Sequence, residues 1–147
     1  MKKYFVILVM VLLMACGCSS KDSTIDLEKA SAALDEKYTN MVNMDEGQLF
    51  AIYGVDTNEY EEFVIKCSSL NNGNLYAIIK TNDDNKSDAK TQMHNMFKVL
   101  ESQSNMYSPE AVKMIQNRLE TTVGDYYIYF VSDDNQAYYD ILKEFIE

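Results

Sequence analysis

His94 is the only histidine in the chain, so it is the first residue to test for catalytic chemistry. An imidazole can act as the general base for a serine, threonine or cysteine nucleophile when a carboxylate orients it. The sequence contains neither a nucleophile-elbow motif nor a metalloprotease motif. His94 instead flanks an apolar helix face that carries Met93 and Phe97, which predicts a histidine at the boundary between core and solvent.

Carboxylates are far more numerous than cations, with 23 Asp and Glu against 13 Lys and Arg and a formal net charge of −10. A pair of carboxylates can carry out acid–base catalysis, but so many acids on a small surface also form close pairs by chance. We therefore predict that the protein is not an enzyme. Nucleic acid is an unsuitable partner, because binding to phosphates requires a basic face.

The acidic run at residues 82–88 invites comparison with a calcium-binding loop. When Asp83 takes the first position of the EF-hand pattern, Asp88 stands where the loop requires glycine and His94 stands where it requires glutamate. The pattern therefore fails, and the run predicts a solvated loop that leads into a helix. We expect neither a metal site nor a cofactor.

The three cysteines suggest an anchor rather than a redox or zinc centre. Cys67 falls in a strand pattern and is expected to pack as a small apolar residue, although a disulfide with Cys18 is an open alternative. The chain has no Cys-x-x-Cys pair, so a zinc site lacks ligands.

The amino-terminal residues predict an export signal. A short basic start precedes an uninterrupted apolar run at residues 4–15. At about 1.5 Å per residue, a helix of this length reaches only about 18 Å, whereas the hydrocarbon core of a membrane is about 30 Å thick. The run therefore fits a cleaved signal peptide better than a spanning helix.

Residues 13–16, Leu-Met-Ala-Cys, look like the lipobox of bacterial lipoproteins. That resemblance implies cleavage before Cys16 and transfer of diacylglycerol to its sulfur, with Cys18 as the alternative acceptor. Two acyl chains are enough for stable anchoring. The predicted organisation is a signal peptide at 1–15, a lipidated tether at 16–25 and a single domain at 26–147, located on the outer face of the cytoplasmic membrane.

Apolar periodicity and turn residues predict an α+β domain. The expected architecture is a four-stranded antiparallel sheet built from two ββα-like units, with helices mainly on one face and an amino-terminal helical arm before it. The helices are expected at 26–41, at 44–53, from Ser87 or Asp88 to about 104, at 109–119 and from 133 or 134 to 146. Asp45, Ser108 and either Asp133 or Asp134 are the expected caps of three of them. The strands are expected at 61–70, 75–81, 121–123 and 126–131, with Asn72-Gly73 as the turn of the first hairpin.

The hairpin around Gly124 provides a candidate binding surface. With Gly124-Asp125 as its loop, Tyr126, Ile128 and Phe130 share the better core face. Tyr127 and Tyr129 then stand on the opposite face, together with Tyr76 from the other hairpin in our prediction. Exposed tyrosine rings suit contacts with peptide or sugar.

Several short segments occur in an order that carries a family resemblance. These are Leu49-x-x-x-Tyr53-Gly54-Val55-Asp56, Glu61-Glu62-Phe63-Val64, Tyr76-Ala77-Ile78-Ile79-Lys80, Tyr107-Ser108-Pro109-Glu110 and Gly124-Asp125-Tyr126. Over about residues 26–146 the chain resembles a family of small lipoproteins from clostridial Firmicutes, a domain of unknown function (number four-three-five-eight). Val123 departs from the family, which usually has a basic or polar residue there. The resemblance implies an envelope lipoprotein and supplies no activity, ligand or catalytic residue.

Together these features predict a lipid-anchored, extracytoplasmic binding or scaffold module. Its expected partners are the membrane, through the lipid, and an unidentified protein or wall polymer. One alternative is a small envelope enzyme or hydrolase accessory subunit that uses surface carboxylates. Another is a ligand-binding lipoprotein that serves a transporter. An apolar pocket with convergent polar groups would favour an enzyme or ligand binder, and an open sheet would favour protein or polymer binding.

Overall fold

The computed structural model describes residues 23–147 except Thr39, Asn71, Asp83 and Tyr107. This part of the chain forms five α-helices and the five strands of one antiparallel sheet. The helices are α1 Leu27–Lys37, α2 Glu46–Tyr53, α3 Lys86–Ser104, α4 Pro109–Gln116 and α5 Asn135–Lys143. The strands are β1 Met41–Asn43, β2 Glu62–Ser68, β3 Leu75–Lys80, β4 Leu119–Val123 and β5 Tyr126–Val131, and a 3₁₀ turn lies at Thr57–Glu59.

Side-chain caps set the starts of α2, α4 and α5 where the sequence predicts them, whereas α4 and α5 each end three residues earlier than predicted. The Asp45 carboxylate accepts a hydrogen bond from the Gln48 N–H at 2.9 Å, and α2 ends at Gly54 with a φ of 69°. Ser108 caps α4, with Pro109 as the first helical residue. Asp134 caps α5 in the same way. These predictions are confirmed because caps act within one turn.

The first helix is shorter than predicted, because β1 follows it. Helix α1 begins after its cap at Asp26, as expected, and ends at Lys37 rather than at Met41. Asn40 then has a φ of 63°, a left-handed conformation that redirects the chain. Met41 pairs with Ser68 at the edge of the sheet. The apolar residues spaced three and four apart up to Met41 therefore predicted helix where a short strand begins.

The strand order is β1-β2-β3-β5-β4, with every neighbouring pair antiparallel. The predicted register of the second hairpin is confirmed, since Val123 pairs with Tyr126 and Leu119 pairs with Phe130. Strand β4 begins at Leu119, two residues earlier than predicted. The predicted α+β class with an antiparallel sheet is confirmed, whereas the expected number of four strands is wrong.

Helices cover both faces of the sheet, which corrects the expectation of helices mainly on one face. We call the two sides the α3 face, covered by α2, α3 and α4, and the α1/α5 face. On β3, Leu75, Ala77 and Ile79 pack on the α3 face, and Tyr76 and Ile78 pack on the other. All five residues are 3% exposed or less. A strand that is buried on both sides is apolar at nearly every position, and β3 up to Ile79 and the whole of β5 show that pattern.

The amino-terminal arm and the carboxyl terminus close the α1/α5 face together. The Thr24 N–H donates to the Glu147 carbonyl at 3.2 Å, and the Glu147 N–H donates to the Thr24 carbonyl at 2.9 Å. Ile25 is 4% exposed and forms a bridge with Ile146. Thr24 and Ile25, which lie within the segment predicted as tether, are therefore packed as part of the domain.

Candidate functional site

The three tyrosines proposed as a binding surface do not form one exposed face. Tyr129 is 2% exposed, and its ring centroid lies 5.3 Å from that of Phe97 in α3. Tyr127 is half-buried on the same face. Tyr76 is fully buried on the α1/α5 face, because it pairs in register with Phe130 rather than with Tyr129. The expectation of an open tyrosine surface is therefore wrong: α3 covers Tyr129, and Tyr76 faces the other way.

Tyr76 instead belongs to a buried polar network on the α1/α5 face. Its hydroxyl donates to Asp35 Oδ1 at 2.8 Å, so Ser31, 2.9 Å away, acts as the donor to Tyr76. The Lys66 ammonium pairs with Asp35 Oδ2 at 2.5 Å. Burial raises the pKa of the Tyr76 hydroxyl, which stays protonated at neutral pH. The network fastens α1 to the sheet.

His94 lies at the boundary of the α3 face, half-exposed, as its flanking position predicts. Its Nε2 atom is 3.2 Å from Glu120 Oε2, and Arg118 pairs with Glu120 Oε1 at 2.6 Å. Burial raises the pKa of Glu120, but the hydrogen bond from His94 and the charge of Arg118 outweigh it and lower the pKa overall. This cluster joins β4 to α3.

A cleft opens on the α3 face at one end of the sheet. Its floor contains Cys67, Leu75 and Val131, which are paired neighbours across β2, β3 and β5. Val42 of β1 continues this row beside Cys67 and is 47% exposed. Because Leu75 begins β3 and Val131 ends β5, the cleft lies at the opposite end of these strands from the Gly124-Asp125 turn.

The walls of the cleft come from the turn between α3 and α4 and from the segment around α2. The Ser108 N–H donates to the Ser104 carbonyl at 2.8 Å, which brings the start of α4 tightly against the end of α3. Met106 in this turn is 70% exposed. Residues from both sides complete the lining: Met44, Tyr53, Leu100, Gln103, Ser104, Met106, Ser108, Ala111 and Ile115.

Gly73 closes one corner of the cleft. Its φ of 85° is a left-handed conformation that favours glycine. A Cβ atom at this position would lie 2.9 Å from the Cβ atom of Ala111 in α4. The predicted Asn72-Gly73 hairpin signal therefore has a second role, since it lets the β2–β3 connection press against α4.

The cleft has a volume of about 730 Å³ and an uncharged lining. Among the described residues, the fifteen that line the cleft include no Asp, Glu, Lys, Arg or His, although 24% of the chain is charged. Cys67 carries a free thiol, and burial raises its pKa. Burial also raises the pKa of Tyr53. Both groups are neutral at neutral pH, so this lining can bind a ligand by apolar contact and neutral hydrogen bonds.

Among the described residues, no group of three or more His, Cys, Asp or Glu side chains is placed to hold a metal ion. None of the helices found there is long and apolar enough to cross a membrane. Cys16, Cys18 and the predicted signal peptide lie outside the described residues.

Comparison with known proteins places the chain beside one family. Residues 33–132 match the family described as "Domain of unknown function (DUF4358)". No curated protein and no solved structure matches the chain. The matched range contains the sheet and most of the cleft-forming elements.

Proposed function

The chain belongs to the DUF4358 family, and we propose that it is a lipid-anchored extracytoplasmic binding module whose ligand site is the cleft on the α3 face. The observation that carries this proposal is the cleft of about 730 Å³, whose described lining, including the floor residue Cys67, is uncharged. Small-molecule sites typically have volumes of about 300–1,000 Å³ and are mostly apolar, with a few polar groups. The cleft meets this description.

The sequence at residues 13–16 supports the anchor, with Cys16 as the acceptor of the lipid. Cleavage there would remove Lys2 and Lys3 and leave all 23 acids, so the mature chain is more acidic than the whole. Such a charge is repelled by anionic lipid. We therefore expect that the folded domain does not contact the membrane surface and that the lipid alone attaches the protein.

The point of attachment favours a cleft that faces away from the membrane. Ser23 lies against Gly124, where a Cβ atom would be 3.1 Å from the Ser23 carbonyl oxygen. At about 3.3 Å per residue, the strand from this turn to Val131 extends about 20 Å. Residues 16–22 span at most about 25 Å even when fully extended. We therefore expect the cleft to lie on the side of the domain that is away from the membrane.

Binding is favoured over catalysis by the composition of the cleft. Acid–base catalysis needs a titratable group near the reacting atoms, and within the described part of the lining the titratable groups are the neutral Cys67 and Tyr53. The cleft gives specific support to one earlier alternative, a ligand-binding lipoprotein that serves a transporter. Association with a protein or wall polymer remains a prediction without a surface assigned to it.

The test of this proposal is to purify the lipidated protein from its native envelope, extract it with organic solvent and identify bound molecules by mass spectrometry. Ser104→Trp should block the cleft and remove a stoichiometric ligand. Asn95→Trp places the same ring on the exposed side of α3 and should retain it. A Cys16→Ser variant should lose membrane flotation, whereas Cys18→Ser should keep it. A ligand retained in full by Ser104→Trp would contradict the assignment of the cleft.

A further inference from the structure

We infer that the cleft takes an uncharged, predominantly apolar small molecule that carries at most a neutral hydrogen-bonding group. This inference rests on the proposed function and names the class of ligand. It follows from the charge and the side-chain types of the lining.

The absence of charge from the lining excludes ionic ligands. A carboxylate or phosphate in the cleft would find no Lys, Arg or His among the lining residues that the structure describes, and it would enter a protein whose formal net charge is −10. A charge removed from water without a partner is strongly disfavoured. A cation would be attracted to the acidic surface but would find no carboxylate in the lining. A neutral ligand alone avoids both costs.

The methionines in the lining of the cleft favour an adaptable apolar site. Met44 and Met106 both line the cleft, and unbranched thioether side chains adjust to ligands of irregular shape. Met106 is 70% exposed, and Val42, which pairs with a floor residue, is 47% exposed, so apolar side chains continue beyond the floor of the cleft. The apolar floor formed by Leu75 and Val131 supplies the contact area beneath them.

Neutral polar groups stand at the same site and limit what the ligand can carry. Gln103, Ser104 and Asn74 line the cleft beside its apolar floor. An amide and a hydroxyl can donate to or accept from an ether, hydroxyl or carbonyl group. We therefore expect one such group on an otherwise apolar ligand.

Two fluorescent dyes with nearly the same aromatic skeleton provide the test. N-phenyl-1-naphthylamine is neutral, and 8-anilino-1-naphthalenesulfonate adds one sulfonate to it. Each is titrated into the mature chain carrying Cys16→Ser, which avoids dye uptake by lipid, with ¹³C-labelled methionine methyl groups observed by NMR. The neutral dye should shift the signals of Met44 and Met106 and leave those of the fully buried Met93 and Met96 unchanged. The anionic dye should bind at least about tenfold more weakly, because its sulfonate lacks a counter-ion.

A charge placed in the cleft should reverse this preference. Met106→Lys should weaken binding of the neutral dye by about tenfold and strengthen binding of the anionic dye. Asn95→Lys makes the same change on the exposed side of α3 and should alter neither. Thermal unfolding of each variant checks that it folds.

The outcomes separate the ligand class from the proposed function. Equal affinity of the two dyes, with shifts at Met44 and Met106, would overturn the uncharged class while leaving the cleft as a binding site. Failure of both dyes to shift either methionine in the folded protein would overturn both proposals.

Discussion

The two faces of the sheet are covered in different ways. The α1/α5 face is closed by two helices, by the paired termini and by the hydrogen bonds among Ser31, Asp35 and Tyr76. The α3 face is closed over most of its area and open at one end, where the cleft lies. All five exposed large apolar side chains in the described residues lie in β1, α2 or the turns next to the cleft: Val42, Phe50, Ile52, Leu70 and Met106.

This difference indicates a division of roles between the faces. Buried area and hydrogen-bonded polar groups stabilise the fold, and the α1/α5 face has a large buried core and the network of Ser31, Asp35 and Tyr76. Exposed apolar side chains around a cleft contribute little to folding and are retained where they contact a ligand. The same substitution should therefore affect stability on one face and binding on the other.

The largest effect is expected from one substitution made on each face. Leu34→Ala in α1 removes a fully buried side chain and should lower the free energy of unfolding by about 3 kcal/mol. Leu100→Ala in the cleft wall removes a half-buried side chain and should cost about 1 kcal/mol. Urea unfolding of both variants measures the difference. Equal costs would contradict the proposed division.

The polar network on the α1/α5 face should give the next largest effect. Tyr76→Phe leaves Asp35 and Ser31 without the hydroxyl that joins them, and should cost about 1–3 kcal/mol. Tyr127→Phe removes a hydroxyl from a half-buried ring on the α3 face and should change stability by less than about 0.5 kcal/mol. Chemical denaturation again provides the comparison, and a neutral Tyr76→Phe would show that the network does not stabilise α1.

Substitutions at two glycines distinguish the cost of a left-handed backbone from the cost of a steric clash. Gly73→Ala meets both a φ of 85° and the Cβ atom of Ala111, whereas Gly54→Ala meets a φ of 69° with open space around it. Gly54→Ala should cost about 1 kcal/mol, and Gly73→Ala should cost more and also weaken binding of the neutral dye. Thermal unfolding and dye titration test both parts. A larger loss of stability in Gly54→Ala than in Gly73→Ala would show that the contact with Ala111 does not constrain the β2–β3 connection.

The smallest effect concerns Cys67 and alkaline pH. Burial raises the pKa of its thiol above the ordinary value of 9.0, so the folded state holds the proton more tightly than the unfolded state does. Stability should therefore fall as the pH rises above about 9, because the unfolded chain ionises first. Cys67→Ala should remove this part of the decline. The free energy of unfolding at pH 7 and pH 10, measured for both proteins, tests the sign, and a steeper decline in Cys67→Ala would contradict it.

The features that sequence reasoning predicted correctly are those determined within a few residues. Asp45, Ser108 and Asp134 cap helices through their own next turn, and Gly124 sets the β4–β5 register through a two-residue loop. Strand β1 was missed because Met41 finds its partner, Ser68, far along the chain. The apolar runs of β3 and β5 signalled burial on both faces, but periodicity cannot say which helix covers which face.

The cleft could not be predicted from local signals, because its residues come from six separate segments. Met44 and Met106 stand in connections without regular structure, and only the packed fold brings them to one site. The tyrosine surface was inferred from a correct register in β5. The prediction of an exposed surface failed because α3 covers Tyr129. The pattern of residues in a strand gives no information about where a helix packs.

The most direct test is hydrogen–deuterium exchange of the mature Cys16→Ser chain with and without saturating N-phenyl-1-naphthylamine. Our account predicts slower exchange at residues 44–53, 67–75 and 100–115, which surround the cleft, and unchanged exchange in α1 and α5. Protection confined to α1 and α5, or spread equally over both faces, would contradict a binding site on the α3 face.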